Sequence, residues 1–384
     1  MKIIVAIDSF KGSLTSLEAG NAAREGIEAV FPDADIIVSP LADGGEGTAQ
    51  AIIRATGGEM QSVCVCDPLG RKITASYGII PENKTAVIEM ATAAGLPLLK
   101  ESERDPMNTT TFGVGEMIAD AIHKGCREFI VGIGGSATND GGTGMLSALG
   151  FAFLDANGNP IAQGAKGLEN LAEIRTENAL PELTECHFSI ACDVSNPLCG
   201  KNGCSVVFAP QKGGTERNIP FMDAWLARYA ELTKTVNPKA DATKSGCGAA
   251  GGIGFAFLSY MNAELRSGID LVLHAIHLEG QIADADIIVT GEGRLDAQSC
   301  MGKAPVGVAK LAKKYHKPVI AFSGCVGDGA QNTHECGIDA YFPIVQKPCP
   351  LSEAMDRENA YRNLRNTAEE VFRLWKTALL YHFK

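Results

Sequence analysis

Residues 129–142 read FIVGIGGSATNDGG, an apolar run that opens into a glycine-rich loop. A plain turn needs one or two glycines, whereas Gly132, Gly134, Gly135, Gly141, Gly142 and Gly144 crowd this stretch. Closely spaced backbone N–H groups beside the hydroxyls of Ser136, Thr138 and Thr143 can hold phosphate oxygens without a positive surface. The pattern favours phosphate binding over a structural turn. Its candidate contacts are Gly134, Gly135, Ser136, Thr138, Asn139, Asp140 and Gly141.

Other loops mix acids with cations. In residues 290–299, TGEGRLDAQS, Glu292, Arg294 and Asp296 alternate, and Lys303 follows one turn later. An Arg between two acids is either an ion-pair cluster or a clamp for an anionic substrate, and the second cation favours the clamp. Asp8 and Lys11 follow the apolar run 3–7, where open α/β sheets bind ligands. Asp8 could serve as a base or metal ligand and Lys11 as an anion anchor; a capping aspartate and a solvated lysine is the plainer reading. In residues 43–48, DGGEGT, Asp43 and Glu46 would repel a phosphate unless a metal or a sugar hydroxyl stood between them. A helix N-terminus accounts for both equally well. Asp193 ends another strand-like run, and with Asn196 it has a spacing that can share Mg²⁺.

These loops need strands and helices to hold them. Residues 3–7 form a continuous apolar run, as in a strand buried on both faces of a parallel sheet. Thr15-x-x-Glu18 is a capping box that opens a helix to about Phe31, and a strand at 36–38 leads to a second loop and helix. From about residue 61 the pattern changes to short strands and hairpins. Near 285 the βα pattern returns: strand 287–290, polar loop 291–299, helix 304–315, strand 319–322, loop 323–329 and strand 340–345. A helix over about 352–378 finishes the chain. The expected architecture is two α/β domains. A flavodoxin/Rossmann-like parallel-sheet domain is built from both chain ends, residues 1–60 plus 285–384, with a mixed α/β domain, 61–284, inserted. The pentapeptide GFAFL occurs at both 150–154 and 254–258, which Gly and Ala bias explains without a duplicated unit.

Composition narrows the function. With 34 basic against 45 acidic residues the net charge is −11, which argues against nucleic acid or an anionic membrane as partner. Twelve scattered cysteines and no secretory segment fit free, mostly buried thiols in a reducing cytoplasm. No G-x4-G-K-[ST] is present, which excludes a Walker-type site, and no Ser-His-Asp order can be read. Gly132-x-Gly134-x-x-Ala137 also fits a dinucleotide fingerprint, with Asp155 after the apparent strand 151–154 as the ribose-binding acid. An NAD-dependent dehydrogenase of a small hydroxy acid is therefore the alternative. Asn139, Asp140 and paired glycines oppose the helix that it requires.

Taken in order, DSFKGSL (8–14), ADGGEGT (42–48), GGSATNDGG (134–142), DVSNPLCG (193–200), GAAGGIG (248–254), GEGRLD (291–296) and GKAP (302–305) resemble the type-1 glycerate kinase family over nearly the whole chain. Ile7 departs from the family's usual Pro without removing a chemical group. The resemblance implies ATP-dependent phosphorylation of D-glycerate to phosphoglycerate and ADP, with 2-phosphoglycerate favoured over 3-phosphoglycerate. It implies a cytoplasmic enzyme of small-molecule substrates, monomer or homodimer, with Mg²⁺ near Asp193. Nucleotide phosphates would lie on the 134–142 loop. Arg294, Glu292, Lys303, Asp43 and Glu46 would line the substrate, with Arg294 and Lys11 on its carboxylate. Asp296, ahead of Asp8, would accept the proton of the attacking hydroxyl.

Overall fold

The computed structural model describes residues 1–42, 44–45 and 47–381. The chain divides into two compact units, one of Met1–Asp43, Arg54–Thr56 and Val272–Lys384, the other of Gly44–Ile53 and Gly57–Leu271. The first unit opens with β1 (Lys2–Ile7), whose residues from Ile3 to Ile7 are fully buried. The helix Ser16–Glu28 follows. Glu18 accepts from Thr15 N at 2.8 Å and Thr15 Oγ1 accepts from Glu18 N at 3.3 Å, completing the capping box. β2 (Asp35–Val38) then pairs with β1 in parallel.

The second unit begins with the antiparallel β3 (Glu59–Cys66) and β4 (Lys72–Ile80), followed by β5 (Thr85–Glu89). The helix Phe112–His123 leads to β6 (Glu128–Gly132). β7 (Ala152–Leu154) and β8 (Glu173–Arg175) form a separate antiparallel pair, and β9 (His187–Ala191) and β10 (Ala263–Arg266) return to the main sheet. That sheet has the order β10-β9-β6-β5-β4-β3, parallel from β10 to β5 and antiparallel beyond. Phe129 of β6 and Phe188 of β9 stack at 4.6 Å in its core. The GFAFL repeat separates here. Its first copy supplies β7, and its second lies in the helix Ile253–Tyr260.

The first unit resumes with β11 (Ile287–Leu295), β12 (Val319–Val326) and β13 (Ala340–Pro343). Its sheet is wholly parallel, in the order β13-β12-β11-β1-β2. Numbered within the unit, this is the flavodoxin-like order 2-1-3-4-5. The chain is thus α/β throughout, with one parallel and one mixed sheet. Two sequence expectations fall. Residues 291–295 and 323–326, read as polar loops, are strand, because Glu292 pairs with Ser323, Arg294 with Cys325 and Leu295 with Val326. The two strands carry each other beyond the apolar part of the sheet. The helix Arg357–Leu380 packs on Ser16–Glu28 through Leu364, Ala368 and Phe372. Gly26 permits that approach, since a Cβ there would lie 2.2 Å from Arg365 O.

All twelve cysteines are free, but only Cys126, Cys186, Cys204 and Cys247 are buried; Cys64 and Cys325 are exposed. The expectation of mostly buried thiols is therefore corrected. No helix among the described residues is long and apolar enough to cross a membrane.

Candidate functional site

In the first unit the strand order reverses between β1 and β11, the position at which open α/β sheets leave a crevice beyond their strand ends. A cavity of about 760 Å³ lies there, and Asp8, Lys11, Glu292, Arg294 and Lys303 all line it. Asp8 is buried just past the end of β1. Its N–H donates to Gly291 O at 2.9 Å and its Oδ1 accepts from Ser9 N at 2.6 Å. Asp43 and Glu46, expected on the substrate, lie outside the described residues.

Two residues apart on β11, Glu292 and Arg294 lie on the same strand face and both line the cavity, Glu292 buried and Arg294 exposed. Glu292 accepts the Ser299 hydroxyl at 2.5 Å and faces Lys303 Nζ at 3.6 Å. Asp296 caps the short turn Ala297–Met301 by accepting from Gln298 N at 2.9 Å. It also pairs with Arg294 Nε at 3.0 Å and Lys303 Nζ at 3.9 Å. The ion-pair cluster thus forms among the same residues that the sequence offers as an anion clamp. Asp296 stands behind Arg294 and is not among the cavity-lining residues.

Burial pushes the Glu292 carboxyl above the ordinary range, against the pull of Ser299 and Lys303. The folded state then holds the proton more tightly than the unfolded chain. Its stabilising effect is complete below the unfolded value of about 4.3 and is lost as pH rises through the folded value. Glu292→Gln, which mimics the protonated form, should gain thermal stability over wild type across that window. Parallel melting temperatures from acid to neutral pH would contradict this.

In the second unit, β6 ends in the glycine loop. Gly134 and Gly135 are exposed, whereas residues 136–142 are buried. Asp140 is completely enclosed and accepts from Thr111 N and Oγ1, both at 2.8 Å, and from Gly142 N and Gly144 N at 3.1 and 3.3 Å. Burial raises its pKa, and these bonds oppose the rise. Asn139 is equally buried and donates to Ser205 Oγ at 2.8 Å. Both side chains therefore face inward and fix the loop. Gly251 packs beneath it, with φ +71° and a Cβ position 2.0 Å from Thr138 O, which only glycine tolerates. Lys212, which sequence reasoning missed, is wholly buried and donates to Ser136 Oγ and Thr138 O, each at 2.7 Å. It is remote in sequence and carries no motif of its own.

β9 neighbours β6 in register, with Ala191 opposite Gly132, so Asp193 and Gly134 each stand two residues beyond adjacent strand ends. Asp193 is exposed and its Oδ1 accepts from Gly268 N at 3.0 Å. Glu89, at the end of β5, accepts from Gly47 N and Ala49 N at 3.3 and 2.7 Å and anchors the helix Thr48–Thr56. Among the described residues no group of three or more His, Cys, Asp or Glu is arranged to hold a metal.

The sequence profile of the Glycerate kinase family matches residues 3–376. The chain belongs to the glycerate kinase family. It is 46% identical over 374 residues to a Haemophilus influenzae protein named glycerate kinase, covering 97% of this chain and 98% of that one. It is also 46% identical over 371 residues to an Escherichia coli protein named glycerate 2-kinase, covering 97% of each. A crystal structure from Salmonella typhimurium LT2, provisionally named glycerate kinase 2, matches with TM-score 0.90 and 46% identity over 100% of both chains. Membership makes the protein an enzyme of the kinase type. The dehydrogenase alternative gains no support from these relatives, and the geometry opposes it. The loop after β6 runs to Gly142 before its helix Thr143–Ala148 begins. Asp155 is a turn residue that accepts from Asn157 N and Asn159 N, beside a strand that belongs to the small two-stranded sheet with β8.

Proposed function

We propose that this glycerate kinase family member transfers the γ-phosphoryl group of ATP to D-glycerate, giving 2-phosphoglycerate and ADP. The observation that carries the reading is 46% identity over 97% of the chain to a relative named glycerate 2-kinase. The cation-lined cavity supports an anionic substrate. 3-Phosphoglycerate is the competing product. The reaction would belong to carbohydrate metabolism in the cytoplasm, on small molecules alone, by a monomer or homodimer.

Phosphoryl transfer asks the protein for positioning and charge neutralisation rather than covalent chemistry. In the first unit, Arg294 and Lys11 would hold the glycerate carboxylate, with Glu292 and Lys303 lining the same cavity. By sequence Asp296 ranks ahead of Asp8 as the proton acceptor. We reverse that order: Asp8 lines the cavity, whereas Asp296 is engaged by Arg294 and by the Gln298 amide. Asp8 would take the proton of the attacking hydroxyl. Asp296 would orient Arg294.

In the second unit, the Gly134 and Gly135 amides and Ser136 would hold nucleotide phosphate oxygens. Thr138, Asn139, Asp140 and Gly141 would shape the loop from behind. The exposed Asp193 carboxylate is a hard oxygen donor on the neighbouring strand end and fits Mg²⁺, which keeps most of its waters and takes one or two carboxylates. When bound, that ion would neutralise phosphate charge. ADP release from Mg-ATP, measured with and without D-glycerate, tests the reading. Release at the same rate in both cases, or none in either, would overturn it.

A further inference from the structure

Lys212 is a problem in electrostatics. It is 1% exposed, and the hydrogen bonds it makes among the described residues go to no carboxylate. An ammonium removed from water is costly unless hydrogen bonds and opposite charge compensate. Its two acceptors, Ser136 Oγ and Thr138 O, are both neutral and both belong to the glycine loop. The groups facing it are the Cys204 thiol, itself pushed up to about 12 by burial, and the more distant Asp140 carboxylate. Burial draws Lys212 down to about 8.

The loop is already pinned elsewhere. Ala137 N donates to Ala94 O and Leu96 N to Gly135 O, at 2.8 and 2.9 Å. Thr109 Oγ1 donates to Ala137 O at 2.8 Å. The buried cation adds to these ties through Ser136 Oγ and Thr138 O. Ser136 shows what else it does. Its oxygen accepts from the lysine, and its own hydrogen has no acceptor among the described residues. It sits directly after the exposed Gly134 and Gly135. A hydroxyl that accepts from an ammonium in a low-dielectric setting becomes a stronger donor.

We propose that Lys212 and Ser136 form a polarised pair, Lys212 acting through the Ser136 hydroxyl to hold an anionic phosphate oxygen of the nucleotide. Ser136 is the contact and Lys212 its positioning residue. This rests on the reading of residues 134–142 as the nucleotide loop. No covalent step is involved.

The test is Mg-ATP binding by calorimetry, with steady-state kinetics, for wild type, Ser136→Ala, Lys212→Met and the double variant. Loss of a hydrogen bond to a charged group predicts roughly tenfold to hundredfold weaker ATP binding for Ser136→Ala. The KM for D-glycerate should stay within about twofold; the melting temperature should fall, because Lys212 keeps only one acceptor, and binding is measured well below it. The double variant should bind ATP no more weakly than the worse single variant, because the lysine acts through the serine. Should Lys212→Met fail to fold, Ser136→Ala still decides. Unchanged ATP affinity in Ser136→Ala, or additive losses in the double variant, would overturn the pair. Wild-type protein that binds no ATP would instead overturn the functional reading beneath it.

Discussion

Asp8→Asn will lower kcat by about a hundredfold to ten-thousandfold and leave the KM for D-glycerate within a few-fold, the signature of a lost general base. Asn preserves the shape of the side chain and an oxygen for Ser9 N, which Asp8 Oδ1 engages at 2.6 Å. What it removes is the capacity to accept the hydroxyl proton. The position suits a general base. Asp8 follows β1 directly, is fixed by its N–H to Gly291 O, and lines the cavity beside Lys11 and Glu292. Steady-state kinetics over saturating ATP would measure both constants. A kcat within a few-fold of wild type would move the proton to another carboxylate, and Asp296→Asn would be the next variant.

Arg294→Ala should raise the KM for D-glycerate by roughly tenfold to a hundredfold, the range for losing charge-assisted hydrogen bonds. The KM for ATP should hold steady. Arg294 lines the cavity and is 65% exposed, so its removal leaves no buried hole. Its Nε is committed to Asp296, and its remaining N–H groups have no acceptor among the described residues, which suits a planar carboxylate. An unchanged KM for glycerate would remove Arg294 from the clamp and return it to a surface ion pair with Asp296.

How much of the fold is legible in the residues alone depends on whether the signal is local. The capping box at Thr15 and Glu18 and the apolar run of β1 are local, and the helix and strand appear where expected. The extension of β11 and β12 is not local. Residues 291–295 look like a loop because they are polar and glycine-rich, and only pairing with a strand remote in sequence makes them extended. GFAFL makes the same point, being strand in one context and helix in another.

At the site, the acid and cation types around Glu292 are readable from spacing, since they follow one another along one strand and its turn. Which carboxylate meets the cavity is not, because β11 ends at Leu295 and Asp296 turns away to cap the next turn. Lys212 gives no signal at all. It follows Pro210 and Gln211 in an ordinary turn, and its importance comes from burial against a loop far away in sequence.

The most direct measurement is the ³¹P spectrum of the product formed from Mg-ATP and D-glycerate. Phosphorus coupled to a single methine proton, appearing only when glycerate, ATP and enzyme are all present, is the expected result and identifies 2-phosphoglycerate. Coupling to two methylene protons would identify 3-phosphoglycerate and contradict the assigned hydroxyl. A spectrum showing only ATP would contradict glycerate as the acceptor.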